Sequence, residues 1–224
     1  MSGISGVVFD FDGLLMDTES CMLGSWQQEW RHHGLELDPD SFWFDHGGDV
    51  TKERYEHLAK AVGPSYDQTT SHARRIGHRD LLHAELHLRS GISAWLDEAE
   101  ASGLRLAVAS SSPNAWVHGL LAGVTRVDWF AIFAGGDEVP APKPDPSVYR
   151  LALQRLNLPP DQVIAVEDAP HGIAAAQAAG LRCVAVPNPH MDPNRLAAAE
   201  LVLTSATEMT LAQVLHTVRS RIPS

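Results

Sequence analysis

Only two cysteines, Cys21 and Cys183, occur in the 224 residues, and they stand far apart without a Cys-x-x-Cys pair or a Cys/His zinc spacing. That excludes a disulfide scaffold and a structural zinc module, leaving reduced thiols in the cytosol as the simplest reading. The twelve histidines do not supply the missing metal pattern. His32, His33, His72, His78, His83 and His87 are scattered among charged helical residues and take no metal role. No apolar run approaches the ~20 residues of a membrane span. The start at Met1, Ser2 and Gly3 places no basic region ahead of an apolar segment. The expectation is a soluble, cytoplasmic protein without a membrane partner. Basic residues are also scarce: 17 Lys and Arg face 28 Asp and Glu, for a formal net charge of −11. Such a surface disfavours nucleic acid as a general partner, while local basic sites can still bind small anions. Low-complexity runs are missing as well, and with 44% hydrophobic residues the chain reads as an ordinary globular protein. Its length exceeds what one minimal core needs, so one full domain with a smaller insertion is expected.

What is present begins at residues 7–17. Val7, Val8 and Phe9 read as a buried strand, yet Asp10 and Asp12 follow two residues apart, with Gly13 directly behind them. Side chains two apart at a strand end point to the same side, so the two carboxylates can converge on one site. Gly13 permits a sharp turn beside them. The strand is expected to run to Asp12.

Between about residues 20 and 90 no convincing strand occurs. Trp26 and Trp30 at i, i+4 mark a helix reaching about His33, which Gly34 closes, and Asp38 and Pro39 open a second. Further helices are expected over 51–62 and 67–88. From Gly91 the texture changes. Helices over 92–102, 114–123, 146–156 and 170–180 alternate with strands over 104–109, 131–134, 163–166, 182–186 and 201–203, before a terminal helix. Repeated β-α units predict an α/β fold with a doubly wound parallel sheet and right-handed crossovers. The expected boundaries are 1–16 and 90–224 for the sheet domain, with 17–89 an inserted all-helical domain.

In such sheets ligands bind outside the carboxyl ends of the strands. Asp10 and Asp12 end the first strand, Ser110 and Ser111 the second, and Glu167 and Asp168 a later one, while Lys143 lies on the loop after the third. Carboxylates, hydroxyls near helix N–H groups and one ammonium suit a phosphate beside a magnesium ion.

Four stretches carry a resemblance. Asp10-x-Asp12-Gly13-x-x-x-Asp17, Ser110-Ser111, Lys143-Pro144-x-Pro146 and Glu167-Asp168-x-x-x-Gly172 resemble, in order and over essentially the whole chain, the four motifs of the haloacid dehalogenase-like superfamily. The helical insertion resembles the cap domain of the subgroup containing β-phosphoglucomutase and many sugar-phosphate phosphatases. The resemblance implies Asp10 as nucleophile and metal ligand. It implies Asp12 as acid/base that also lends its backbone carbonyl to Mg2+. Ser110, Ser111, Lys143 and Gly13 would form the phosphate site, and Asp168 with Glu167 would complete the metal site. Catalysis would rest on Asp10, Asp12 and Lys143. In the cap, residues 45–49, with Gly48 and Asp49, resemble a specificity loop, and Arg75 is a candidate for a second anionic group on substrate. Trp26, Trp30, Trp43 and Phe44 read as cap core.

The implied activity is magnesium-dependent hydrolysis of a small phosphorylated metabolite, such as a sugar phosphate, through an aspartyl phosphate. A β-phosphoglucomutase-like hexose-phosphate mutase is the alternative. Against it, Glu19, Ser20, Cys21 and Met22 include no histidine, and Pro113 stands after Ser112 where mutases usually carry lysine. A catalytically silent phosphate-binding protein is the alternative of another class. A receiver domain, which also takes phosphate on aspartate, is about half this length.

Overall fold

The computed structural model describes residues 3–43, 50–123, 129–130 and 132–220. The chain forms two compact units: Met1–Asp17 with His87–Ser224, and Thr18–Leu86. Among the described residues, no helix is long and apolar enough to cross a membrane.

In the first unit, six strands among the described residues form one parallel sheet: β1 (Gly6–Phe9), β2 (Arg105–Ala109), β3 (Ile132–Ala134), β4 (Val163–Glu167), β5 (Arg182–Ala185) and β6 (Leu201–Val202). Their order is β3-β2-β1-β4-β5-β6. β1 is central, with Phe9 in register with Val108 on one side and Val166 on the other. Every residue of β1 and β4 is buried. That explains their unbroken apolar reading: a parallel strand covered on both faces needs no polar alternation. Helices α5 (Ile92–Ala101), α6 (Asn114–Leu121), α7 (Ser147–Leu156), α8 (Pro170–Ala178) and α9 (Leu211–Ser220) connect and follow the strands. Val8, Ala107, Tyr149, Leu156, Ala165, Ile173 and Cys183 belong to the core between sheet and helices.

β1 stops at Phe9, three residues before the expected end. Asp10 still donates its N–H to Val166 O at 3.0 Å, but the chain then turns, with Leu15 N bonded to Phe11 O and Gly13 N to Met16 O. Gly13 supports this turn at φ 78°, a conformation that costs a residue with a Cβ. Met16 bridges both Asp12 and Leu88, and Arg89 N donates to Leu15 O at 2.8 Å, so the outgoing and returning segments run side by side.

The second unit contains α1 (Thr18–His32), α2 (Pro39–Phe42), α3 (Thr51–Val62) and α4 (Gln68–Ala84). α4 ends four residues before the expected boundary at 88, because the return segment must extend for Leu88 to pair with Met16. Leu23, Trp26, Trp30, Phe42, Tyr55 and Leu58 form the bundle core, with Trp43 packed against it. Phe44 lies outside the described residues.

Arg75 corrects an expectation. It is only 6% exposed, donating from Nε to Tyr55 Oη at 2.8 Å and from Nη1 to Ser25 Oγ at 3.4 Å, with its guanidinium 4.6 Å from the Trp26 ring centroid. Its donors and its cation are used inside the bundle rather than offered to a ligand. The neighbouring Arg74 pairs with buried Glu29, at 2.7 Å and 3.1 Å. Arg79 pairs with Asp80 at 2.9 Å. The proposed specificity residues Gly48 and Asp49 lie outside the described residues.

Candidate active site

The turn after β1, the loop after β2, the loop after β3 and the end of β4 bring their polar side chains together. Asp10 is placed by the last ladder bond of β1, and Glu167 ends β4, the adjacent strand on the side where strand order reverses. Lys143, 4% exposed, reaches both, with Nζ 2.5 Å from Asp10 Oδ1 and 2.7 Å from Glu167 Oε1. Its third donor bond goes to Ala109 O at 2.9 Å. An ammonium has three hydrogens, and this one uses all of them to tie three strand ends together.

Glu167 is held by several donors. It accepts from Lys143, from the buried Tyr149 hydroxyl and, at 3.3 Å, from Asp168 N. A Cβ on Gly172, in the first turn of α8, would stand 2.1 Å from this carboxylate, so glycine there makes room for the acid. Asp168 accepts from Asn188 Nδ2 at 2.7 Å.

Carboxylate oxygens of Asp10, Glu167 and Asp168 lie within 4.8 Å of one another, a grouping that could hold a metal ion. The donor set is all oxygen, which suits a hard divalent cation such as Mg2+ rather than zinc. Charge points the same way, since three buried carboxylates face one ammonium. Burial pushes the Asp10 carboxyl up to about 8; Glu167 and Asp12 add to the rise, and Lys143 opposes it. Burial also works against charge on Lys143, but Asp10 and Glu167 outweigh it and raise its pKa above the ordinary lysine value. A bound divalent cation would relieve this excess of negative charge. The site therefore fits the ion that its donor set implies.

Asp12 faces another way. Its Oδ2 accepts from Ser112 Oγ at 2.7 Å and Ser110 Oγ at 3.3 Å, and its Oδ1 accepts from Trp116 Nε1 at 3.0 Å. The Asp12 carboxylate is outside the metal grouping, so any part it takes there falls to its backbone carbonyl. Ser110 is buried, and its Oγ also accepts from Ser112 N, whereas Ser111 is exposed and its Oγ accepts from Lys143 N at 3.4 Å. Gly13 corrects a second expectation. Its N–H is committed to Met16 O, and its carbonyl accepts from Arg89 Nη1 at 2.6 Å. The peptide therefore serves the turn rather than an anion.

Sequence reasoning passed over Tyr149, Asn188, Trp116 and Arg89. Each reads in sequence as an ordinary helix or loop residue, and only the fold brings them beside Glu167, Asp168, Asp12 and Gly13. Asp137, readable either as a loop residue or as an acid near the metal, accepts from Asn114 N at 3.0 Å and so caps α6.

A sequence model of the family described as haloacid dehalogenase-like hydrolase matches residues 7–186, from β1 to just past β5. The chain belongs to that family. Among its relatives, CbbY of Rhodobacter capsulatus is 33% identical, covering 88% of this chain and 91% of that protein. The validoxylamine A 7'-phosphate phosphatase of Streptomyces hygroscopicus subsp. limoneus is 30% identical, covering 90% and 94%. Among solved structures, a mutant CbbY of Rhodobacter sphaeroides in complex with xylulose-(1,5)bisphosphate superposes with a TM-score of 0.73 at 30% identity, covering 93% of this chain and 98% of that one. The chain is thus an enzyme, a haloacid dehalogenase-like phosphatase, and its parallel sheet is the Rossmann-like core of that family.

Proposed function

We propose that this protein is a magnesium-dependent phosphomonoesterase that acts on a small phosphorylated sugar or sugar-like metabolite through an aspartyl phosphate on Asp10. The observation that carries the reading is the convergence of Asp10, Glu167 and Asp168 around the Lys143 ammonium at the carboxyl ends of β1 and β4. Asp10, Asp168, Glu167 and the Asp12 carbonyl would hold Mg2+. When bound, the ion supplies charge neutralisation and polarises the phosphoryl oxygens.

A carboxylate that attacks an anionic phosphate meets like-charge repulsion, and Lys143 offsets part of it while stabilising the charge that spreads over the transferring group. Asp10 forms the new O–P bond as the bond to the substrate alcohol breaks, and Asp12 gives the departing oxygen its proton. Asp12 then takes a proton from water; the resulting hydroxide attacks phosphorus, releasing inorganic phosphate and restoring Asp10. Ser110 and Ser111 border the phosphate position. The unit Thr18–Leu86 is read as the cap, joined through residues 14–17, and its closure would change the surroundings of Asp12 between the two steps.

The substrate class is supported by the relatives: one is named for a phosphatase of validoxylamine A 7'-phosphate, and another was solved with xylulose-(1,5)bisphosphate. The departures at residues 19–22 and at Pro113 favour hydrolysis over mutase transfer. The test is phosphate release from a panel of sugar phosphates and other phosphorylated metabolites, with magnesium and with chelator. Magnesium-dependent release from at least one sugar phosphate is expected. Conversion of β-glucose 1-phosphate to the 6-phosphate without free phosphate would defeat the hydrolase reading. No release from any compound by folded protein would favour a silent phosphate binder.

A further inference from the structure

The Asp12 carboxylate is gripped at both oxygens from two different pieces of the chain. Oδ2 accepts from Ser112 Oγ at 2.7 Å and from Ser110 Oγ at 3.3 Å, both on the loop after β2. Oδ1 accepts at 3.0 Å from Trp116 Nε1, on α6. A single hydrogen bond would leave the carboxylate able to swing about its own axis, whereas anchors on both oxygens fix its plane. An indole N–H is donor-only and is carried on a rigid ring, so it sets one direction for the oxygen it meets. The donors are themselves held. Ser112 O accepts from Gly136 N at 2.9 Å, and the first turn of α6 is tied down by Asn114 N to Asp137 Oδ1.

From this geometry we infer that Trp116 is a positioning residue: together with Ser112 it aims the Asp12 carboxyl group, whose proton passes to the leaving oxygen and leaves the carboxylate behind. The inference rests on the phosphatase reading above, in which Asp12 is the acid. Trp116 itself touches no reacting atom and acts through Asp12. Trp116 lies outside the four motifs that carry the resemblance.

A positioning role and a merely structural role differ in how they depend on the leaving group. The 4-nitrophenolate departs readily without a proton, and the phenolate of phenyl phosphate needs one more. kcat/KM reports the steps up to departure of the first product, before water attacks the phosphoenzyme. With magnesium and the full chain, Trp116→Phe keeps an aromatic ring and removes the N–H. It should lower kcat/KM for phenyl phosphate by about tenfold or more while leaving that for 4-nitrophenyl phosphate within about threefold. Ser112→Ala should show the same split, and carries the test if Trp116→Phe does not fold. Equal losses on both esters would mean that the residues only support the fold, and unchanged kinetics on both would mean that the grip is idle; either result overturns the inference. A folded wild type that releases phosphate neither from these esters nor from any sugar phosphate of the panel would overturn the phosphatase reading and this inference together. An active wild type with equal losses in the variants overturns the role of Trp116 alone.

Discussion

Lys143 and Arg74 each meet a buried carboxylate, but the company they keep differs. In the helical unit, Glu29 and Arg74 form a two-bond pair of one charge each, with His33 Nε2 at 3.1 Å. In the sheet unit, one ammonium pairs with Asp10 and Glu167 in a group of three carboxylates completed by Asp168, with Arg89 acting on Asp168 and Asp12 nearby. The first arrangement satisfies itself. The second is overcharged, and burying charge without matching partners costs stability. An excess of buried carboxylate is tolerable where an ion completes the site, and this imbalance is the physical mark of a site built for a ligand rather than for packing. The comparison also explains why Arg75, a cation in the helical unit, carries no ligand argument: aromatic rings and hydroxyls occupy it.

The contrast can be broken most sharply at Asp10. Asp10→Asn should lower phosphate release by ~10³-fold or more, without lowering the thermal midpoint, because it removes a carboxylate that burial disfavours. A variant that is strongly destabilised yet still active would reverse the assignment. Next in size is the response to metal. Magnesium at about 100 times its Kd should stabilise the protein by ~2.7 kcal/mol, read as a raised thermal midpoint, and Asp168→Asn should abolish most of that rise. An unchanged rise in the variant would place the ion elsewhere.

Glu29→Gln addresses the balanced pair. It should cost about 1–3 kcal/mol of stability, measured by urea unfolding, while kcat on any accepted substrate stays within about twofold. The last contrast is a difference of sign with pH. In chelated protein, the Asp10 carboxyl is raised from 3.8 to about 8 in the fold, so its contribution is full below 3.8 and is lost as pH rises through about 8. For Glu29, burial works against the charged form, but bonds from Arg74, Ser71 and His33 outweigh it and hold the carboxyl below 4.5. Its contribution is present above 4.5 and is lost as pH falls through its folded value. Urea midpoints across pH should therefore flatten between about pH 4 and 8 in Asp10→Asn, and below about pH 4.5 in Glu29→Gln.

Much of this was readable before any coordinates. The strands announce themselves because a parallel sheet covered on both faces requires unbroken apolar runs, and Asp10, Lys143, Glu167 and Asp168 stand out as charges at the ends of such runs or on loops between them. The supporting residues are silent in sequence. Tyr149 and Trp116 sit within helices where an aromatic residue is ordinary, and Asn188 and Arg89 sit in connecting segments. Their partners are many residues away, so nothing local marks them. Arg75 misleads for a related reason: a basic residue on a polar helix reads as available to an anionic ligand, and only packing against Trp26, Tyr55 and Ser25 reveals it as interior. Gly13 reads as a turn from its sequence neighbours, but the bond of its carbonyl to Arg89 depends on where the chain returns at Leu88.

The central claim is that the overcharged cluster exists so that Asp10 can take a phosphoryl group. Its most direct test is to mix the magnesium-loaded enzyme with an accepted substrate, quench in acid during turnover, and map the mass of one phosphoryl group onto the peptides. The account predicts that group on the peptide carrying Asp10, and none in Asp10→Asn. Phosphate release with no phosphorylated peptide under conditions that preserve acyl phosphates, or a phosphoryl group on another residue, would contradict it.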